Sequence, residues 1–249
     1  MTATMMAGLF AVMLATAVLS GIFGMAGGLI LMGVLLALLP LQDAMVLHAV
    51  TQMASNGWRG TLWWRHIRWR AVATFLIGSA IALAVWSVWR YVPSKPVALI
   101  CLGTTPFLVR LFPARLRPNP ESFLSGACYG SACTTLLLLT GVSGPLVDSF
   151  FLGGKLDRRQ IVATKAVCQL FGHAAKLAYF GGLVDQAAAL DPLMAGLAIL
   201  ASVAGTSIAR PLLERLTDAQ YRRWAGWIIT TIACLYLAQG SYLLLTGGP

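Results

Sequence analysis

Charge is the scarcest ingredient of this sequence. Lys, Arg, Asp and Glu together make up 10% of the 249 residues, and the acids number only eight. Soluble domains carry about 25% charged residues, so a soluble globular domain is excluded. Catalytic motifs are missing too: no GxSxG, HExxH or Walker A pattern occurs, and no two acids stand close together in an apolar stretch. Nothing nominates a nucleophile, an acid–base pair, a metal centre or a cofactor, and an enzyme is not expected. Cysteine is sparse and odd in number. Cys101, Cys128, Cys133, Cys168 and Cys234 lie in or beside apolar stretches, and no second cluster answers Cys128 and Cys133. That excludes a disulfide framework and a zinc site. The opening residues, Met-Thr-Ala-Thr-Met-Met-Ala-Gly, carry no base ahead of their apolar run. A cleaved signal peptide is therefore not expected, and the segment is read as part of the fold.

What is abundant is apolar. Hydrophobic residues make up 58% of the chain and the mean hydropathy is +0.78, which places it among polytopic membrane proteins. The net charge of +10 sits in short breaks between apolar runs. That is the pattern of basic loops flanking membrane segments, and nucleic acid is not an expected partner. The runs fall at about 5–23, 28–39, 43–64, 71–91, 96–112, 123–140, 145–154, 160–181, 190–209 and 221–246. A crossing needs roughly 20 apolar residues. Six runs qualify (43–64, 71–91, 96–112, 160–181, 190–209 and 221–246), although 96–112 is short and contains Pro106. The pairs 5–23 with 28–39 and 123–140 with 145–154 are long apolar stretches split by a glycine-rich break.

If each split pair turns back to its own side, thirteen basic residues between Arg65 and Arg223, Arg115, Arg117 and Lys155 among them, share one face against Arg90 and Lys95. If each pair crosses once, the loops divide nine to six. The positive-inside rule favours the first arrangement. The expected fold is all-α, with two inverted repeats, residues 1–117 and 118–249. Each repeat is a broken re-entrant hairpin plus three transmembrane helices, set in a bacterial inner membrane with both termini periplasmic. A homodimer is compatible with this arrangement. The repeat shows at an offset of 117, where Gly24 lies over Gly141 and Gly27 over Gly144, and Leu-Ser-Gly occurs at 19–21 and 124–126.

Broken backbone at membrane depth persists only where protein or a watery cavity satisfies it. Gly24, Gly27 and Gly28, and Gly141, Ser143 and Gly144, allow such turns, with Pro145 suited to a helix start. Free N–H groups at the start of each second arm would favour an anion. The alternative is that small residues merely let helices pack closely. His48, Gln52 and Asn56 share one helix face at i, i+4, i+8, and Lys165, Gln169 and His173 repeat the spacing. Polar groups in a bilayer need a cavity or one another, so the two stripes are candidate ligands for an oxyanion; interhelical packing bonds are the plainer alternative. Asp148 either neutralises Lys165 or Lys176 or carries a proton during transport. Most of the eight tryptophans stand near loops as interfacial anchors, with Trp58 also considered for stacking on an aromatic substrate.

These features together resemble the TauE/SafE (TSUP) family of sulfite exporters and sulfonate permeases. The resemblance rests on Gly-Met-Ala-Gly-Gly (24–28), Thr-Gly-Val-Ser-Gly-Pro (140–145) and the run 163–176, which begins Ala-Thr-Lys-Ala-Val-Cys-Gln. The first break lacks the longer glycine string common in the family. The resemblance implies a secondary transporter of small sulfur-containing anions, either sulfite or an organic sulfonate, aromatic ones included. Gly27, Gly28, Ser143 and Gly144 would offer backbone donors, Lys165 and His173 charge or hydrogen bonds, and His48, Gln52, Asn56 and Gln169 the rest of the shell. An anion channel, and an intramembrane enzyme or scaffold subunit, are the competing readings.

Overall fold

The computed structural model describes residues 3–23, 26–111, 119–151, 156–184, 191–215 and 218–247. Gly24, Arg115, Arg117, Lys155 and the 117/118 boundary between the expected repeats lie outside them. The described residues are helical, with no strand among them. In chain order the helices are α1 (Ala3–Phe23), α2 (Ala26–Leu38), α3 (Leu41–Leu62), α4 (Trp69–Trp89), α5 (Lys95–Leu111), α6 (Phe123–Thr140), α7 (Gly144–Phe151), α8 (Arg158–Ala178), α9 (Pro192–Arg215) and α10 (Asp218–Thr246). Local chemistry sets several ends. Asp157 caps α8 by accepting from the amides of Arg159 (2.9 Å) and Gln160 (3.0 Å), while the Gln160 side chain reaches back to the Asp157 amide. Helix α6 stops at Gly141, whose φ of +82° is left-handed, a conformation that glycine adopts without a Cβ clash.

Among the described residues, five helices are long and apolar enough to cross a membrane: α1, α4, α6, the Pro192–Ala209 part of α9 and the Gly226–Thr246 part of α10. This set differs from the six runs expected from the sequence. Helices α3 and α8 have 22 and 21 residues, which is length enough, but their polar stripes lower the hydropathy. Helix α5 has only 17 residues, with Pro106 inside. Conversely, α1 and α6, expected to be arms of re-entrant hairpins, each have the length of a span. Large apolar side chains stay exposed along α4 (Ile77, Ile81, Val85, Val88) and α10 (Leu235, Leu244, Leu245). Such surfaces suit lipid rather than water.

Packing joins the helices in pairs, parallel for α1 with α9 and α4 with α6, antiparallel for α3 with α8 and α5 with α10. On α1, Ala17 meets Gly205 and Gly21 meets Ala209 of α9. On α4, Gly78 faces the Ala127 carbonyl of α6, while Gly126 and Gly130 of α6 face Thr74 and the Phe75 carbonyl. Helix α5 brings Gly103 to Ala233 of α10, and α3 sets Gly57 and Gly60 opposite Leu170 and Val167 of α8. Where backbones approach this closely, serines bond across the seam: Ser131 Oγ donates to the Gly78 carbonyl at 2.8 Å and Ser79 Oγ to the Gly130 carbonyl at 3.4 Å. A Cβ on Gly130 would overlap the Phe75 carbonyl. Gly130→Val is therefore expected to cost at least about 1–3 kcal/mol through overpacking, seen as a lower melting temperature in detergent; an unchanged melt would disprove this close seam.

The two short helices are the most enclosed. Leu29, Leu31, Met32, Leu35 and Leu36 of α2 are buried in one apolar cluster with Met13, Met45 and Leu99. Val147, Phe150 and Phe151 of α7 are buried in a second cluster with Phe75, Cys133 and Cys168. Most of the tryptophans are exposed, Trp64, Trp69, Trp89, Trp224 and Trp227 among them, whereas Trp86 is buried.

Candidate functional site

Helices α3 and α8 cross the middle of the packing, and their polar faces meet there. The ring centroids of His48 and His173 are 5.4 Å apart. Around them lies a small polar cavity. Helix α3 lines it with His48, Gln52 and Asn56, and α8 with Gln169 and His173. Gly28, near the start of α2, and Val142, Ser143 and Gly144, at the start of α7, complete the sides. Two further residues, Ser20 of α1 and Arg59 of α3, lie in the same wall. The cavity measures about 20 Å³, room for roughly one water molecule. An oxyanion can enter only if the walls part.

A chain of hydrogen bonds runs beside the cavity. A ring nitrogen of His48, Nε2, lies 3.0 Å from the Gly28 carbonyl. A carbonyl can only accept, so Nε2 carries the hydrogen and Nδ1 is left as an acceptor. Lys176 Nζ donates to that Nδ1 at 2.8 Å and to the Gly141 carbonyl at 3.0 Å. Lys176 is wholly buried. One lysine and one histidine thus connect the residues flanking the two breaks. Gln52 lies against Gly28, where a Cβ would sit 3.4 Å from its Oε1. Arg59 donates to the Ser20 carbonyl (3.3 Å) and to Asn56 Oδ1 (3.5 Å).

Among the described residues, two buried polar atoms of the wall find no hydrogen-bond partner: Ser20 Oγ and His173 Nδ1. Both residues are 4% exposed. Buried polar groups are ordinarily satisfied, so the cavity holds two polar atoms free to bond to whatever enters it; a third such atom, Thr134 Oγ1, lies outside its wall. Among the described residues the lining offers hydroxyl, amide, imidazole and guanidinium groups and no carboxylate, which suits an anion. Among the described residues, no group of three His, Cys, Asp or Glu side chains is placed to hold a metal ion.

Eight of the ten candidate ligands read from the sequence meet in this wall: Gly28, His48, Gln52, Asn56, Ser143, Gly144, Gln169 and His173. Two do not. Gly27 is packed against the Thr16 carbonyl and Ser20, where no side chain would fit. Lys165 instead forms an ion pair with Asp148 of α7, both side chains largely buried. Lys176, offered earlier as a partner for Asp148, bonds His48 and Gly141. Trp58 donates to Ser207 Oγ at 3.0 Å and does not line the cavity. Sequence reasoning missed Ser20, Arg59 and the role of Lys176. A signal existed: Arg59 and Lys176 each continue their stripe at i+11, and they too are 117 residues apart.

A family model described as Sulfite exporter TauE/SafE matches residues 9–236. No curated protein matches the chain, and no solved structure does.

Proposed function

Because the chain belongs to the sulfite exporter TauE/SafE family, a family of membrane transporters, we propose that it carries a small sulfur oxyanion by alternating access through the cavity between α3 and α8. The observation that carries this reading is the pair of orphaned buried atoms, Ser20 Oγ and His173 Nδ1, in a wall with no carboxylate. Sulfite and sulfonates present three acceptor oxygens. Gln52, Asn56, Gln169, Ser20 and Ser143 supply donors, and Arg59 takes the place that sequence reasoning assigned to Lys165. The amide of Gly144 belongs to the first turn of α7, where the helix dipole adds to the attraction; Pro145 has no amide to add. Since no tryptophan, tyrosine or phenylalanine among the described residues lines the wall, a sulfite-sized anion fits it better than an aromatic sulfonate. The small cavity also favours a carrier over an open channel.

The packing supports two inverted units that meet about a pseudo-twofold axis. Exchanging the halves turns the α1–α9 pair into the α6–α4 pair and returns α3–α8 and α5–α10 to themselves. Corresponding helices α3 and α8 run antiparallel, as inversion requires. The enclosure of α2 and α7 supports their role as short arms that end inside the protein. On this arrangement the basic loops are cytoplasmic and both termini periplasmic.

Purified protein melted with sulfite, thiosulfate, methanesulfonate, toluenesulfonate, taurine, sulfate, acetate and chloride tests the site. A ligand at 100 times its Kd is expected to stabilise the fold by about 2.7 kcal/mol. Sulfite or a small sulfonate should raise the melting temperature where acetate and chloride do not. Liposome counterflow of the same anion should be slow and saturable. No shift with any anion, together with no flux, would sink the proposal.

A further inference from the structure

Lys176 poses a problem that the anion site solves. Its ammonium would be sealed from water, and among the described residues it forms no ion pair. Its two partners are the His48 ring and the Gly141 carbonyl. An uncompensated buried charge is costly, and ionisable groups at membrane depth generally face a pathway or a partner. The titratable groups facing Lys176 are His48 on α3 and His173 one turn back on α8. Neither is an acid. From the end of α6 it meets only the Gly141 carbonyl, the one acid of α7, Asp148, is held by Lys165, and Tyr179 on the next turn donates to the Tyr91 carbonyl at 2.8 Å. Among the described residues nothing supplies the missing negative charge, and a bound anion would. The nearest place for it is the cavity, which His48 lines while touching Lys176.

We infer that Lys176 and His48 form a proton-coupling pair: the pair takes up one proton as the anion binds, so that proton and anion cross together. The inference rests on the anion site proposed above. On uptake an O–H bond of hydronium breaks as an N–H bond forms, and on the far side the N–H bond breaks and the proton returns to water. His48 is the wire: its Nδ1 accepts from Lys176 and its Nε2 is held on the Gly28 carbonyl at the start of α2. A charge change at Lys176 is thus felt at the residues beside both breaks. Linkage requires each ligand to raise the affinity of the other, so anion affinity falls as pH rises, by up to tenfold per pH unit for one linked proton.

Thiosulfate and methanesulfonate are suitable probes, because each keeps a single charge state near neutral pH and any proton taken up belongs to the protein. In weakly buffered detergent solution, wild-type protein is expected to absorb close to one proton per anion bound. Lys176→Met should absorb none and bind the anion at least tenfold more weakly. Lys176→Arg, whose charge is permanent, should bind without proton uptake. Binding by wild-type with no proton uptake would overturn this inference and leave the anion site standing. Absence of binding by both probes would overturn this inference, and the anion site with it if sulfite does not bind either. Should Lys176→Met fail to fold, the wild-type proton count decides alone.

Discussion

Arg59→Gln is expected to weaken anion binding by one to two orders of magnitude while leaving the melting temperature of the empty protein nearly unchanged. Arg59 is the permanently charged side chain in the cavity wall, reaching it from the last turn of α3. Two of its bonds in the empty protein are long, 3.3 Å to the Ser20 carbonyl and 3.5 Å to Asn56, and these two contribute little stability. A hydrogen bond to a charged group is worth about 1.5–3 kcal/mol, and every 1.4 kcal/mol is a factor of about ten in affinity. Arg59→Lys should fall between, because lysine keeps the charge but lacks the planar two-pronged donor that matches an oxyanion. Titrating thiosulfate or sulfite by calorimetry reads the effect. Equal affinities for the wild type and Arg59→Gln would remove Arg59 from the site.

The second large effect concerns Asp148 and Lys165. Either single neutralisation, Asp148→Asn or Lys165→Met, strands the partner charge in a largely buried position. Breaking a buried pair from one side costs about 3–5 kcal/mol, whereas replacing both members by apolar groups is often neutral. Asp148→Leu combined with Lys165→Met is therefore expected to melt near the wild type, while each single change melts well below it. The double variant should still bind and move the anion. If instead it is stable but inactive, Lys165 or Asp148 takes part in transport, and the ion pair is more than a strut.

Much of the site is legible in the sequence. Periodicity placed His48, Gln52 and Asn56 on one face, and Lys165, Gln169 and His173 on another, because polar residues spaced by four in apolar surroundings have few ways to be accommodated. The breaks were readable as glycines between apolar runs, and the family followed from the longer motifs. Pairing was not readable. Nothing local says that Lys176 rather than Lys165 reaches the centre, since both lie on α8 and only the neighbours α3 and α7 decide which one finds His48 and which finds Asp148. Arg59 was hidden by its setting among Trp58, Trp63, Trp64 and Arg65, where a base looks like loop charge. Its distance of eleven residues from His48 is three helical turns, which returns it to the polar face. The polar stripes that revealed the site also blurred the spans, lowering the hydropathy of α3 and α8 below that of α1 and α6.

The exchange of partners between halves has a consequence for how the chain is made. Helix α1 is covered by α9, which begins roughly 170 residues after α1 ends. At about 5–20 residues per second of synthesis, the newborn first helix waits on the order of ten to thirty seconds before its partner leaves the ribosome. During that interval the small-residue face carrying Ala17 and Gly21 rests on lipid, and the first half has no finished structure to rest in. Helix α6, by contrast, finds α4 already inserted. Assembly should then begin in the middle of the chain, with the earliest helix locked only when α9 arrives and the seam of α5 with α10 closed after it.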